Sequence, residues 1–502
     1  MRSKKIFYNM LSTIVFAFLS MLLGFLKVKL IVTNLGIEVD GLYSFLIGTF
    51  TYLHILEGGF GIALTYSLYG PLAADDKNKI SEILSGAKRI YQLISLAMLV
   101  CGILVAFILP FFVKTTTISN SVMYTAYFIM LANFTISMFL IGPSNLFDAD
   151  QKTYVKNNIL KTGQLVTSIG LVIMLLLFDV SIIEIVTFEL IIRIIFVVYT
   201  LKKLRDHYPW LNLKAKPDYS NVSKVKAIFV HKLASMLVYQ TDLLVVTVFI
   251  GLISASIYNK YIYVIVTLQT LIHGLMLATQ ASFGNVFAKN EDTTKKINTF
   301  ATFAFFTATL TAIMIFISIG NFVSIWVGDQ FELGLIVIFF FCLNYYFFIA
   351  RNPVHIIRDA NGLYEDSKFI ALGEGLVNFV ISLLLVKTFG YAGILFGTSL
   401  SFVFEIILNY RLLRKKKIIP RESNLAFKYI TNLLLYLLMI WINLVVVNSL
   451  GFYQSRSFIT WTFECFIVGS ANLIVLSGIY YIFYKDNFKE LISIILRLLK
   501  RG

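Results

Sequence analysis

Thr51, His54, Gly58, Gly61 and Thr65 fall on one face of a helical wheel, with Glu57 beside them, inside the otherwise apolar run "LHILEGGFGIAL" and its flanks. An imidazole and a carboxylate side by side can exchange a proton, hold a cation or line a wet wall. Three other apolar runs carry similar stripes. One has Thr13, Ala17, Ser20, Gly24 and Lys27; another has His231, Ser235 and Asp242, with Lys232 and Tyr239 alongside; a third has Gln269, His273 and Gln280. A charged side chain at the centre of a membrane-spanning helix costs roughly 2.5 to 3.5 kcal/mol. Each of these groups therefore needs a partner, a hydrated cavity or an escape to the interface. Two readings fit: four helices surrounding a hydrated cavity, or small residues packing closely while Glu57 and Asp242 sit in ion pairs.

Lys27 and Lys29 lie about 200° apart on a helix. Lys27 continues the small-residue stripe and is the candidate anion contact, while Lys29 snorkels to the interface. Arg193 has Glu189 four residues before it, the spacing of a helical ion pair, which assigns it a structural role. In "ARNPVHIIRDA" Pro353 kinks the helix, and Arg351 and His355 face either a lumen or the interface. Glu374, Glu405 and Glu464 have no partner assignable from sequence. Gly58, Gly59 and Gly61 leave the helix easy to bend beside Glu57, which suits a wall that changes shape.

The elements that hold these residues are set by composition. With 58% hydrophobic and 14% charged residues and a mean hydropathy of +0.82, the chain overfills any water-soluble core of its length. A spanning helix needs about 20 apolar residues, and fourteen such runs can be counted, among them the second at 41–69, the fourth to sixth at 122–146, 157–178 and 181–203, the seventh at 227–250 and the eleventh and twelfth at 368–388 and 391–413, too long and too continuous for barrel strands. The chain is expected to be an all-α polytopic membrane protein with both termini cytoplasmic, because Lys and Arg concentrate in alternate loops. The net charge of +16 thus reports topology, and no nucleic acid is implied. The apolar run after "MRSKK" reads as a first span, being too long for a leader and lacking a small-residue cleavage site. Cys101, Cys342 and Cys465 sit apart in apolar runs, so neither a disulfide nor a metal site is expected, and no cofactor motif is found.

"LGIEVDGLY" matches "IGLISASIY" at an offset of 215, and Asp148–Ala149 matches Asp359–Ala360 at 211. These matches divide the chain into an N-terminal six-helix bundle, 1–213, and a C-terminal one, 214–415, related as a parallel repeat. Two additional helices over 416–484 and an amphipathic cytoplasmic tail, 485–502, follow. In the tail Phe488, Leu491 and Ile492 share a face, either as an interfacial helix drawn to anionic headgroups or as a merely basic exposed end. Paired bundles of this kind are a transporter architecture, with a site expected between them.

"TNLGIEVDGLYSF", "HKLASMLVYQTDLLVV", "RDANGLYEDSKFIALGEGLVNFVISLLL" and "FGYAGILFGTSLS" resemble the Wzx-type polysaccharide flippases of the multidrug/oligosaccharidyl-lipid/polysaccharide (MOP, MATE-like) superfamily over most of the chain. The resemblance implies translocation of an undecaprenyl-pyrophosphate-linked oligosaccharide from the inner to the outer leaflet of the bacterial plasma membrane, by alternating access, for a surface polysaccharide. Lys27, Lys232 and Arg351 are then the pyrophosphate candidates. His54, Glu57, Asp242, Gln269, His273 and Gln280 are the lumenal or ion-coupling candidates, and Gly58, Gly59, Gly61 and Pro353 supply flexibility. Expected partners are membrane lipids, a polysaccharide polymerase and chain-length proteins, with the flippase itself a monomer. A lipid II flippase and an ion-coupled MATE-like exporter are the alternatives. An enzyme of the polymerase or ligase class is disfavoured, since the outer loops are short and lack histidine.

Overall fold

The computed structural model describes residues 2–57, 59–113, 117–219, 233, 236, 241–277, 279–280, 283, 293–452 and 457–501. All regular elements among the described residues are helical, and eleven helices are long and apolar enough to cross a membrane. The protein is an all-α, multi-pass membrane protein. By Cα packing the chain falls into two compact units, Met1–Met236 with Val246–Ser256, and Leu237–Val245 with Ile257–Gly502.

The first unit holds α1 (Arg2–Leu35), α2 (Ile37–Leu53), α3 (Phe60–Ala73), α4 (Lys77–Phe112), α5 (Asn120–Ile141), α6 (Asn145–Ala149), α7 (Thr153–Leu177) and α8 (Ile182–His207). Local chemistry starts the helices. Asp76 accepts the Lys79 N–H at 2.9 Å, Ser119 accepts that of Val122 at 3.3 Å, and Ser181 forms a capping box with Glu184. α1 packs on α7, and α5 packs on both α4 and α8. The polar spacing of α8, with Glu184, Glu189 and Arg193 along its length, makes it less apolar than its neighbours.

The run expected as one span, 41 to 69, is broken. α2 ends at Leu53, His54–Glu57 form a 3-10 turn, and Gly59 stands at φ 78 before α3 begins. Glycine adopts that left-handed conformation without the Cβ penalty other residues bear. Phe60, Leu64 and Leu68 of α3 then bury against Ile80, Leu84 and Tyr91 of α4 and Phe147 of α6.

The segment after α8 is tied down at its start. The Tyr208 hydroxyl donates to Asp150 Oδ2 at 2.7 Å, and Lys152 Nζ lies 2.8 Å from the same oxygen. Partial burial pushes the Asp150 carboxyl up, but the hydrogen bonds from Lys152 and Tyr208 outweigh it and hold the group below the usual carboxylate range. The contribution is therefore present at neutral pH and lost only in acid, as pH falls through the depressed value. Tyr208→Phe moves the Asp150 titration back toward the ordinary range, readable as a shift of its carboxyl carbon resonance with pH.

α9 (Thr241–Phe249) and α10 (Leu252–Leu277) follow. The second unit is built on α11 (Thr293–Val327), buried along most of its length. It packs against α12 (Leu335–Ala350), α15 (Leu425–Leu450), α16 (Phe458–Phe483) and α17 (Lys485–Arg501). Between these lie α13 (Asn352–Ala360) and α14 (Tyr364–Lys415). The backbone of α14 leaves the helical region at Gly390, and its arms fold back so that Ser382 Oγ donates to the Ile394 carbonyl at 3.2 Å. α14 thus supplies both expected crossings, 368 to 388 and 391 to 413. The expected crossing 227 to 250 falls largely outside the described residues. Asn443 of α15 and Asn472 of α16 exchange side-chain hydrogen bonds of 2.8 and 2.7 Å.

The two stretches matched in sequence share a local feature. Gly36 (φ 86) and Gly251 (φ 121) stand at equivalent points, each immediately before a helix. Seven residues on, the Tyr43 hydroxyl donates to Glu189 Oε1 at 2.6 Å, and that of Tyr258 donates to Asp242 Oδ2 at 3.1 Å. Each matched tyrosine serves a carboxylate of its own unit.

Candidate functional site

A cavity of about 510 Å³ opens inside the first unit among α1, α2, α5, α7 and α8. Its wall carries three permanent cations, Lys27, Lys156 and Arg193, against one carboxylate, Glu189. Glu189 is engaged by the Tyr43 hydroxyl, and Lys27 Nζ lies 5.8 Å from the centroid of the same tyrosine ring. Arg193 donates from Nε to Asn133 Oδ1 at 3.2 Å. Among the described residues no carboxylate lies within ion-pair distance of Lys27 or Arg193. The Arg193–Glu189 ion pair expected from spacing is therefore not formed. Helical spacing brings the two residues to one side of α8, but Tyr43 and Asn133, from facing helices, take their hydrogen bonds. Gln164, Ser168 and Thr167 add uncharged polar groups, and Phe134 and Phe196 add aromatic wall. A chamber with an excess of positive charge, amide and hydroxyl groups and aromatic faces suits an anion attached to a polar body.

His54 lines the same cavity and stacks edge-on against Phe134 at 5.3 Å. Glu57, one turn further along, turns instead toward Tyr91. Its Oε1 accepts the Gly61 N–H at 3.2 Å and the Tyr91 hydroxyl at 3.1 Å. A side chain at position 61 would meet both oxygens at 3.0 Å, so the missing Cβ is what lets them close on this turn. The Asn145 amide donates to the Tyr91 oxygen at 3.5 Å and accepts from Lys156 Nζ at 3.4 Å, while Lys156 is ion-paired with Asp148. A polar chain thus links the broken helix to the cavity wall. Lys156, Arg193, Asn133 and Gln164 were not singled out as site residues from sequence. Their signal was available in the polar positions in and beside the fourth, fifth and sixth spans, which nothing in one sequence orients.

The other candidates lie elsewhere. Asp242 is buried, its Oδ2 accepting from Tyr258 and from the Thr398 hydroxyl at 3.1 Å each, while Oδ1 accepts no hydrogen bond. Asn378 donates to Thr398 at 2.8 Å, completing a pocket of hydroxyl and amide groups around the acid. Arg351 is buried with Nη1 2.8 Å from Glu374 Oε1, and its guanidinium stacks on Phe402 at 4.5 Å and on Phe348 at 5.1 Å. Its charge is matched inside the protein. Pro353 stands in the first turn of α13, after the helix is interrupted at Arg351. His273 Nδ1 lies 2.8 Å from Asn352 Oδ1, Gln280 hydrogen-bonds the Tyr364 hydroxyl, and Gln269 is half-buried on α10. Lys232, Gly58, His231, Ser235 and Tyr239 lie outside the described residues.

No family model and no curated protein matches the sequence. Solved structures do. The lipid II flippase MurJ in an inward closed conformation superposes with a TM-score of 0.66 at 14% identity, covering 93% of this chain and 98% of that one. An inward-facing multidrug resistance MATE family transporter of the MOP superfamily gives 0.62 at 11% identity, covering 79% and 95%. A MATE structure in a bent conformation gives 0.52 at 13%, covering 83% and 95%. At such identities the likeness is one of architecture: this chain has the all-α, MATE-like membrane fold that the lipid II flippase and the MATE structures share.

Proposed function

We propose that the protein translocates an undecaprenyl-pyrophosphate-linked oligosaccharide from the inner to the outer leaflet of the bacterial plasma membrane by alternating access, supplying a surface polysaccharide. The observation that carries this reading is the first unit's cavity, whose wall holds Lys27, Arg193 and the Asp148-paired Lys156 against Glu189. A pyrophosphate needs cations and water along its path, whereas its lipid tail can stay in the hydrocarbon. Lys27 and Arg193 contact the phosphates, and Gln164 and Ser168 are placed to meet the first sugar. Lys232, outside the described residues, stays a further phosphate candidate. Both termini face the cytoplasm in this reading, and outward movement of each negative charge gains about 2.3 kcal/mol per 100 mV of inside-negative potential. Asp242, with its unbonded oxygen, and His54 and Glu57 at the broken helix, are the residues we assign to any ion coupling. A polymerase and chain-length proteins would receive the product. In this reading the protein acts as a transporter and not as an enzyme.

A second reading, a lipid II flippase, draws on the extent of the likeness to the structure of that name, 93% of this chain. Lipid II presents the same pyrophosphate to the same cations. An exporter of cationic drugs fits less well, because a cavity with excess positive charge repels them. The test is purified protein in proteoliposomes carrying fluorescent undecaprenyl-pyrophosphate oligosaccharide or lipid II in separate preparations. Leaflet exchange is read by accessibility to an impermeant sugar-modifying reagent. Faster exchange of the oligosaccharide lipid than of lipid II supports the first reading, the reverse order supports the second, and exchange of neither removes both.

A further inference from the structure

A second concentration of charge lies inside the other unit and has no part in the function proposed above. Arg351, His355 and Arg358, on and just before α13, meet Glu374 and Glu405 from the two arms of α14. Glu405 is 1% exposed, and its two oxygens are treated very differently. Oε1 is crowded: His355 Nε2 lies at 2.5 Å, the Asn409 amide donates to it, and Arg358 Nη1 is 3.7 Å away. Oε2 accepts no hydrogen bond at all, with Arg351 Nη1 at 4.0 Å. The Tyr429 hydroxyl of α15, within electrostatic range of this carboxylate, is likewise buried without a hydrogen-bond partner.

The charges do not balance. Among the described residues Arg351 and Arg358 supply two cations, while Glu374, Glu405 and Asp359, which Arg358 Nε contacts at 2.8 Å, supply three anions. Among the described residues the other titratable neighbours are Tyr429, Tyr364 beside Asp359 and Arg358, and His273 of α10. The Asn352 amide donates to the carbonyls of Phe348 and Ile349, so its oxygen is the atom that faces His273 Nδ1. His273 is therefore held as a donor to an amide and is not aimed at the carboxylates. Among the described residues one negative charge is left over around the enclosed Glu405, with Asp359 and His355 at the partly open side of the cluster. An uncompensated buried charge costs several kcal/mol, and a group in that position takes up a proton instead.

We infer that the His355–Glu405 pair is a proton-binding site, in which one exchangeable proton shared between Nε2 and Oε1 brings the cluster to neutrality. When the proton leaves for water, its bonding electrons stay on the pair, and two arginines are left to hold three carboxylates. The contact that ties α13 to the second arm of α14 then weakens. The site is distinct from Asp242 and from the first unit's cavity, and it stands whether or not the substrate proposed above is correct.

The experiment is infrared difference spectroscopy of the full-length protein in lipid nanodiscs, titrated from pH 5 to pH 9. Wild type is expected to show one carboxyl or imidazole group titrating in a non-aqueous environment. Glu405→Gln, which keeps the size and one hydrogen-bonding oxygen, is expected to remove that group, and Glu374→Gln, which leaves two carboxylates to the two arginines, to move its titration to lower pH. His355→Gln should shift the same transition, because the carboxyl then binds the proton alone. An unchanged signal in Glu405→Gln, or a transition that Glu374→Gln leaves at its wild-type pH, overturns the assignment. Should the Glu405 variant not fold, the unmodified protein still decides: a wild-type spectrum with no buried group titrating in this range excludes the site.

Discussion

Replacing Arg193 by alanine is expected to lower translocation of the proposed lipid-linked oligosaccharide by roughly 10- to 100-fold, the factor corresponding to one hydrogen bond to a charged group. Arg193 is exposed to the cavity and donates to Asn133, a buried but uncharged amide, and among the described residues no carboxylate lies within ion-pair distance, so its removal strands no buried charge. The protein should therefore reach the membrane at normal abundance, and the loss should fall on transport. Arg193→Lys keeps the charge but not the two-pronged donor geometry and is expected to recover part of the rate. Lys27→Ala behaves like Arg193→Ala. The proteoliposome exchange assay reads all three, and wild-type rates in both alanine variants would take the cavity out of the transport path.

Arg351→Met is expected to cost about 3 to 5 kcal/mol of stability, because it strands Glu374 as an unpaired charge in a dry site. Arg351 and Glu374 are 5% and 7% exposed, and the guanidinium is also sandwiched between Phe348 and Phe402. A combined Arg351→Met, Glu374→Leu variant removes both charges and should recover much of the loss. Unfolding of the three proteins in detergent, followed by tryptophan fluorescence, gives the comparison. If the single variant is as stable as wild type, the pair is hydrated and the cluster is not the closed site described above.

Much of the architecture could be read from the chain because the bilayer enforces it. Length and apolarity mark each crossing, and "KTFGYAG" places a turn where Gly390 separates the arms of α14. The break in the second span was less accessible: glycines beside Glu57 suggested an easily bent helix, whereas the structure has a 3-10 turn and a left-handed residue. The site was legible in part. Lys27 and His54 stood out as polar groups in apolar runs, and both line the cavity. Arg193 stood out too, but spacing along one helix says nothing of the neighbours across from it. Tyr43 and Asn133, themselves unremarkable in sequence, decide where Glu189 and Arg193 bond. The same limit applied to Arg351, whose partners lie 23 and 54 residues away on another helix.

The reciprocal amide pair of Asn443 and Asn472 bears on how the chain enters the membrane. Each side chain donates one hydrogen to its own helix and the other to its partner, so neither amide is saturated while its helix stands alone in lipid. The last two crossings are thus best released from the insertion machinery together, as a helical hairpin already zipped at mid-depth. Biogenesis of this end of the protein then proceeds by pairs of helices, with the final pair able to wait in the bilayer until the rest of its unit is assembled.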